Sequence, residues 1–195
     1  MRYNRAVIRF LPVLVVLLLT WPAASHATEA EYQRLHAELD GLAARNHWRG
    51  VDRCYRKLVR LDWPLLPSDH LMGAQAARQR GEGLVGFERL EAAVQASAGS
   101  LEVEQAAHEA ATAELESMLD RYGKVELWVG DQRVAALVRF NMPFSPDAQQ
   151  SIAEAQKRLA REQAYRGLLP LGEYMIDGER FEVLRSELWQ VFRVE

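Results

Sequence analysis

The stretch HWRGVDRCYRKLVRL, residues 47–61, decides the fold of the first half of the chain, because its two sides differ in chemistry. Apolar side chains recur at the i, i+3, i+4, i+7 spacing of one helix face: Trp48, Val51, Cys54 or Tyr55, Leu58 and Leu61. Charged side chains fall mostly on the opposite side: Arg49, Asp52, Arg53, Arg56, Lys57 and Arg60. The stretch predicts an amphipathic helix that packs through one face and exposes the other.

Cys54, the only cysteine in the chain, has two interpretations. It is either a reactive thiol in an electropositive site or a small apolar side chain in the packing face. The nearest histidine in sequence is His47, seven residues earlier, which is roughly 10 Å along a helix that rises ~1.5 Å per residue. That separation is too long for a direct hydrogen bond between thiol and base. The spacing therefore favours packing.

The arginines of this helix form a stripe at i, i+4 spacing, made of Arg49, Arg53, Arg56 and Arg60. Planar guanidinium groups suit carboxylates, so the stripe is the candidate partner-binding surface. The alternative is a solubilising surface that forms salt bridges with an acidic neighbouring helix.

The N-terminus has the features of a secretory signal peptide. Arg2, Arg5 and Arg9 precede an apolar run over 10–21, and Ser25-His26-Ala27 is a small-x-small cleavage signal. The run of about a dozen residues is shorter than the ~20 that span a bilayer. We predict a signal peptide over 1–27 and export to the periplasm or the exterior, with no stable membrane span after cleavage. An uncleaved anchor is the alternative.

The charge of the chain disfavours one class of partner. Removal of residues 1–27 leaves 21 basic and 27 acidic side chains, a net charge near −6. Nucleic-acid binding requires a basic surface that neutralises phosphates. We therefore predict that the protein binds no nucleic acid.

Residues 28–122 are predicted to be helical throughout, as an N-terminal domain. Apolar periodicity, broken at Asn46, at WPLLP over 63–67 and at Gly81, predicts four helices. These cover 29–45, 47–61, 68–80 and 83–97, and an alanine-rich fifth helix over 101–122 would cap them, with Gly123 ending it. The two hairpin turns, Asn46 and Gly81, lie 35 residues apart.

The spacing and the small side chains of the second hairpin resemble a tetratricopeptide repeat, whose period is about 34 residues. The hairpin carries Ala74, Ala77, Gly86, Leu90 and Ala93 at the helix crossing, whereas the first hairpin has larger residues there: Leu39, Leu42, Val51, Tyr55 and Leu58. The resemblance covers about 29–98. It implies an α-solenoid fragment that holds a protein or peptide partner.

Residues 123–195 change to strand periodicity and are predicted to form a second domain. We expect strands over 124–129 and 133–140 joined as a hairpin, and a helix over 146–166 capped by Ser145 and closed by Gly167. Three further strands follow: Tyr174 to Ile176, Phe181 to Val183 after an Asp177-Gly178 turn, and 188–194. The chain is thus predicted to be α+β, with solenoid-like hairpins and a capping helix before a small antiparallel β domain with one inserted helix.

Within that domain, LPLGEYMIDGERFEV, residues 169–183, carries Pro170, Gly172 and Tyr174 in a Pro-x-Gly-x-Tyr pattern. The segment resembles the strand signature of PEGA-type extracytoplasmic β modules. Tetratricopeptide-like helices followed by such a module resemble exported proteins of Gram-negative bacteria.

No motif for catalysis, metal or cofactor binding is found in the sequence. It has no glycine-rich phosphate loop, no G-x-S-x-G and no H-E-x-x-H. Four histidines are dispersed, at His36, His47, His70 and His108. His36 and Asp40 at i, i+4 would supply at most two metal ligands. We therefore predict no cofactor, no metal and no enzyme.

Three functions remain open on the sequence. The first is a non-catalytic exported scaffold or adaptor that binds a protein or peptide partner through its helical surface, including the arginine stripe. The second is a subunit of a cell-envelope assembly that pairs through a β-sheet edge. The third is a hydrolase or small-ligand binder whose site assembles from distant residues.

Overall fold

The computed structural model describes residues 22–97, 99, 101–130, 136–140 and 145–194, with the side chains of 22–27 left aside. Most of the predicted signal peptide, residues 1–21, lies outside this part. Within it the protein is mixed α+β, with helices first and two small sheets after them. No helix in these ranges is long and apolar enough to cross a membrane.

The described residues of the N-terminal half form five helices: α1 (Pro22–Ala44), α2 (Trp48–Val59), α3 (Pro67–Gln79), α4 (Gly83–Gln95) and α5 (Glu102–Leu119). Asn46 and Gly81 take positive φ angles of 54° and 75° at the two predicted turns. Such angles reverse the chain at little cost when the residue is glycine or asparagine. The predicted order of helices is therefore confirmed, and their ends shift by at most three residues, except that α1 begins at Pro22, seven residues before the predicted start and within the predicted signal peptide.

Small residues bring α3 and α4 close together. A Cβ added to Gly86 would lie 3.3 Å from the backbone oxygen of Ala74, and one added to Gly73 would lie 2.6 Å from the ring of Tyr55. Buried side chains from α1, α2 and α3 form one core, and a second core lies between α3, α4 and α5. The close contacts at Gly73 and Gly86 set the distance of α2 and of α4 from α3.

In the C-terminal half, the residues that the structure describes form helix α6 (Pro146–Glu162) and two three-stranded sheets. The strands are β1 (Tyr122–Val129), β2 (Leu137–Arg139), β3 (Ala164–Pro170), β4 (Gly172–Ile176), β5 (Glu179–Val183) and β6 (Gln190–Val194). The sheet orders are β3-β1-β6 and β2-β4-β5. One core joins both sheets to Ala155 and Leu159 of α6.

The predicted hairpin between 124–129 and 133–140 is wrong. β1 pairs with β3 and β6, whereas β2 pairs with β4. The prediction of a purely antiparallel domain is wrong as well, because β1 and β6 run parallel. Local alternation identifies a strand, but which strand it pairs with depends on how the distant segments pack.

The predicted helix over 146–166 is too long, and one strand was missed. Gln163 takes a left-handed φ of 54° and ends α6, so residues 164–166 belong to β3. Gly167 lies in β3 and not at a helix end, and Gly123 lies in β1, where a Cβ would meet the backbone oxygen of Leu184 at 2.7 Å. Glycine stands at these two positions because neighbouring groups approach closely.

Two other local predictions are confirmed. Asp177 and Gly178, with φ of 50° and 92°, join β4 to β5 as a two-residue hairpin, which matches a type I′ turn. The hydroxyl of Ser145 accepts a hydrogen bond from the backbone of Ala148 at 3.3 Å, and Pro146 begins α6.

The side chain of Tyr174 is fully buried, and its hydroxyl donates to the carbonyl of Pro170 at 2.7 Å.

The helices and the sheets share buried side chains. Tyr122 of β1 and Leu168 of β3 belong to the core that lies between α3, α4 and α5. The change from helices to strands falls at Tyr122, one residue before the predicted position. The two halves therefore pack against each other directly.

Candidate functional site

Helix α2 presents the predicted arginine stripe to solvent, since Arg49, Arg53, Arg56 and Arg60 are all exposed. Arg56 pairs with Asp52 at 2.9 Å. Within the described residues, Arg49, Arg53 and Arg60 form no salt bridge with any carboxylate of the chain, which leaves three cations of the stripe available to a partner.

Asp52, which the sequence placed on the exposed face, is buried with 1% of its surface accessible. Three arginines surround its carboxylate. Arg89 donates to Oδ1 at 2.8 Å, while Arg56 and Arg80 pair with Oδ2. The prediction of exposure is wrong because two of these cations come from α3–α4, which the pattern of α2 alone does not show. A buried carboxylate requires such counter-charges.

Arg89 is the central member of this cluster. Its guanidinium is buried, donates to the carbonyl of Gly73 at 2.7 Å and lies 4.4 Å from the centre of the Tyr55 ring. Burial alone would raise the pKa of Asp52, but the hydrogen bond from Arg89 and the nearby arginine charges hold that pKa below its usual range. The carboxylate therefore stays charged and holds the arginines in place.

An open groove runs between α2 and α4 beside this cluster. It has a volume of about 320 Å³, and we call it the arginine groove; its lining residues are Tyr55, Arg56, Val59, Arg60, Val85, Glu88 and Arg89. Val59 is 53% exposed, although it is apolar. The groove thus offers an apolar floor next to guanidinium groups, which suits an acidic segment with an aliphatic side chain.

Cys54 lies on the packing side of α2, as the apolar spacing predicted. The thiol is buried and its Sγ donates to the carbonyl of Leu35 at 3.3 Å. Burial raises the pKa of Cys54 to about 11. A thiol with such a pKa is almost entirely protonated at neutral pH and is a poor nucleophile. The packing interpretation is therefore confirmed.

A second buried carboxylate, Asp69, ties α1 to the start of α3. It accepts hydrogen bonds from the hydroxyl of Tyr32 at 2.8 Å and from the backbone of Leu66 at 3.1 Å. His36 Nδ1 lies 2.7 Å from the same carboxylate, and its Nε2 lies 3.7 Å from Asp40. His36 and Asp40, the suggested pair of metal ligands, are thus engaged in a structural contact. In the described part of the chain, no three or more His, Cys, Asp or Glu side chains are arranged so that they could hold a metal ion.

Glu104 of α5 supports the same helix end. Its carboxylate is buried and accepts hydrogen bonds from the backbone and the hydroxyl of Ser68, at 3.0 Å and 2.8 Å. Two carboxylates therefore satisfy backbone donors of the first turn of α3. Sequence reasoning missed both, although Pro67 followed by Asp69 is a recognisable helix-start signal.

A cleft lies where the α3–α4 turn meets α6 and β3, with a volume of about 570 Å³. Several of its charged side chains already pair within the chain, such as Arg158 with Glu154 at 2.8 Å and Arg80 with Glu82 at 2.6 Å. Neither histidine nor cysteine occurs among the residues described around it. The hydroxyl of Ser151 and the amine of Lys157 also line the cleft, and the pairings within the chain leave fewer of its charges available to a ligand.

No protein-family model, curated protein or solved structure matches the chain. The resemblances to tetratricopeptide repeats and to PEGA-type modules stay predictions.

Proposed function

We propose that the protein is a non-catalytic adaptor that holds an acidic segment of a partner protein in the arginine groove. One observation carries this proposal. Val59 is an exposed apolar side chain that lies beside the arginines of the groove. One of these arginines, Arg60, has no acidic partner among the described residues. Exposed apolar surface next to unpaired charge is typical of a binding site.

The electrostatics of the groove favour a carboxylate-rich ligand. The chain as a whole is acidic, with 24 basic and 27 acidic side chains, yet four cations of α2 and Arg60 directly after it lie on one side. Such a local positive field attracts acidic segments and speeds their association. Glu88 on the opposite rim orients the ligand, because a carboxylate of the ligand avoids that side.

Parts of the groove are held in place before binding. Asp52 fixes Arg56 and Arg89, and Arg89 in turn lies against the ring of Tyr55. Side chains that are already ordered lose little entropy when a ligand binds. Arg60 and Val59 are exposed in the free protein, and they form new contacts when the ligand binds.

A labelled acidic peptide in which leucine and valine alternate with glutamate tests the groove. We expect the wild type to bind it and Arg60→Glu to weaken binding by about tenfold or more, since a charge-assisted hydrogen bond is replaced by repulsion. Val59→Asp has a similar effect because it removes the apolar floor. Fluorescence anisotropy reports both.

Arg161→Glu is the matched control, since Arg161 is exposed on α6 and the charge change is the same. We expect it to bind the peptide like the wild type. Equal weakening by Arg161→Glu and Arg60→Glu would show that only the overall charge matters, and the groove would lose its support.

Export to the periplasm or the exterior is part of the proposal and is supported by the basic and apolar order of residues 1–21 and by Ser25-His26-Ala27. Mass spectrometry of the exported protein is expected to find Thr28 as the first residue. Retention of Met1 would contradict it and would favour the anchor.

The second candidate is an envelope subunit that pairs through a sheet edge. It is favoured by β6, which is the outermost strand of the sheet β3-β1-β6 and carries the exposed Val191. An edge strand with apolar side chains is a template for a strand of another chain. Val191→Lys would then abolish capture from an envelope extract, and Arg60→Glu would leave it intact.

A further inference from the structure

The start of α5 exposes apolar side chains in an acidic setting. Leu101 and Val103 are 61% and 73% exposed, and the exposed Glu102 lies between them. We call these three residues the α5 tip. The buried Glu104, bonded to Ser68, anchors the helix directly behind the tip. The tip is therefore presented on an ordered element.

The α5 tip has the chemistry that the arginine groove fits. Both have exposed aliphatic side chains, and their charges are opposite, with Glu102 in the tip and Arg56 and Arg60 in the groove. The exposure of Leu101, Val103 and Val59 shows that tip and groove do not cover each other within one molecule.

We propose that the α5 tip of a second copy of this chain docks in the arginine groove. Glu102 of one copy pairs with Arg60 and Arg56 of the other, while Leu101 and Val103 lie on Val59 and Val85. The inference rests on the proposed function, because it gives the same groove an occupant. A partner segment and the tip then compete for it.

The geometry sets the form and the strength of the association. Tip and groove are different surfaces, so the contact is heterologous, and each docked copy leaves a free tip and a free groove for the next. Three residues bury far less than the ~1,600 Å² of a standard interface, so the contact belongs to the weak, transient class. We expect a dissociation constant on the order of 100 μM.

Sedimentation equilibrium of the natively processed protein tests the inference. We expect the average mass of the wild type to rise above the monomer mass with concentration. Glu102→Arg and Arg60→Glu each weaken association about tenfold or more. Glu109→Arg, an exposed change on α5 away from the tip, has the same charge difference and leaves association unchanged.

Charge reversal on both sides separates docking from loss of folding. We expect the double variant Glu102→Arg, Arg60→Glu to associate more tightly than either single variant, because the pair between positions 102 and 60 is reversed while Arg56 stays bound to Asp52. An equimolar mixture of the two single variants also associates, since each tip finds an oppositely charged groove in the mixture. A rescue of this kind requires both variants to be folded.

Three results would overturn the inference: a wild type that stays monomeric at about 1 mM, no rescue in the double variant, or equal weakening by Glu109→Arg. Binding of the acidic peptide shows whether only the docking of the tip is wrong or the groove as a binding site is wrong as well. If Glu102→Arg binds the peptide while the wild type does not self-associate, the docking of the tip is wrong and the groove stands. If the wild type binds no peptide, the groove itself is wrong.

Discussion

Asp52 shows how one side chain organises the surface of α2. Its carboxylate is buried, yet it stays ionised because Arg89, Arg56 and Arg80 surround it. The attraction offsets the cost of removing these charges from water only while every partner is present. Arg89 is also buried, so it depends on Asp52 as much as Asp52 depends on it.

Asp52→Asn keeps the size of the side chain and removes its charge. We expect the free energy of unfolding to fall by about 3–5 kcal/mol, because Arg89 is left as an uncompensated buried charge. Urea denaturation followed by circular dichroism measures the loss. Asp177→Asn, in an exposed turn that tolerates asparagine, is the control and changes stability by less than about 0.5 kcal/mol.

His36 and His70 respond to pH in opposite directions. Burial alone would lower the pKa of His36, but Asp69, Asp40 and Glu104 raise it overall. Burial lowers the pKa of His70, whose ring contacts Tyr55. By linkage, His36 stabilises the fold fully below its unfolded pKa of about 6.5 and loses this effect as pH rises through its folded pKa. His70 stabilises the fold above its unfolded pKa of about 6.5, and this stabilisation is lost as pH falls through its folded pKa.

Replacement of each histidine by asparagine separates the two effects. We expect the stability that the wild type gains over His36→Asn to be largest near pH 5.5 and to shrink as pH rises toward 9. The stability gained over His70→Asn shrinks instead as pH falls. Urea denaturation at several pH values measures both. Trends of the same sign for His36→Asn and His70→Asn would contradict the assignment.

At the scale of elements, the boundary between α6 and β3 depends on one residue. Gln163 is the left-handed residue at which α6 ends, and its carbonyl accepts a hydrogen bond from the backbone of Val129 at 2.9 Å. Helix-forming residues continue past this point, so composition does not mark the end. The sheet marks it, since Tyr165 and Leu169 are buried in β3.

Gln163→Gly is expected to stabilise the protein by about 0.5–1 kcal/mol. Glycine adopts the left-handed conformation without the 1–2 kcal/mol strain of other residues, and this gain exceeds its entropic cost of roughly 0.5–1 kcal/mol. Ala153→Gly, at an exposed position within α6, is the control and costs about 1 kcal/mol. Urea denaturation measures the stability of both variants. If Gln163→Gly destabilises the protein as Ala153→Gly does, the strain assigned to the left-handed Gln163 is contradicted.

At the scale of the whole molecule, the helices and the sheets are expected to unfold together. Leu168 of β3 and Tyr122 of β1 are buried in the core between α3, α4 and α5. Shared buried side chains couple the stability of the two halves, because neither half keeps its core when the other unfolds.

Leu168→Ala tests this coupling. We expect a loss of about 2–5 kcal/mol from the cavity it creates. Circular dichroism, which follows the helices, and pulsed hydrogen exchange of the backbone amides of β1 and β3, which follows the sheet, should shift together to lower urea concentration. Leu188→Ala, at a side chain that is 77% exposed, serves as the control and changes little. Two separate transitions in Leu168→Ala would contradict the coupling.

The candidate site was predictable only in part. The i, i+4 spacing of Arg49, Arg53, Arg56 and Arg60 places them on one face, and the structure shows them exposed. The groove beside them was not predictable, because its other side is built by Val85 and Glu88 of α4. The burial of Asp52 was missed for the same reason, since Arg80 and Arg89 lie far away in sequence.

The sequence by itself determined the features that arise from neighbouring residues: the order of the helices, the cap at Ser145, the turn at Asp177-Gly178 and the packing of Cys54. Helix hydrogen bonds, caps and tight turns join residues only a few positions apart, so their patterns are local. The tertiary structure decided that β1 pairs with β3 and β6, that Asp52 is buried and that residues of α2 and α4 line an open groove. Strand pairing and the compensation of buried charge join distant residues, and only the folded chain brings those residues together.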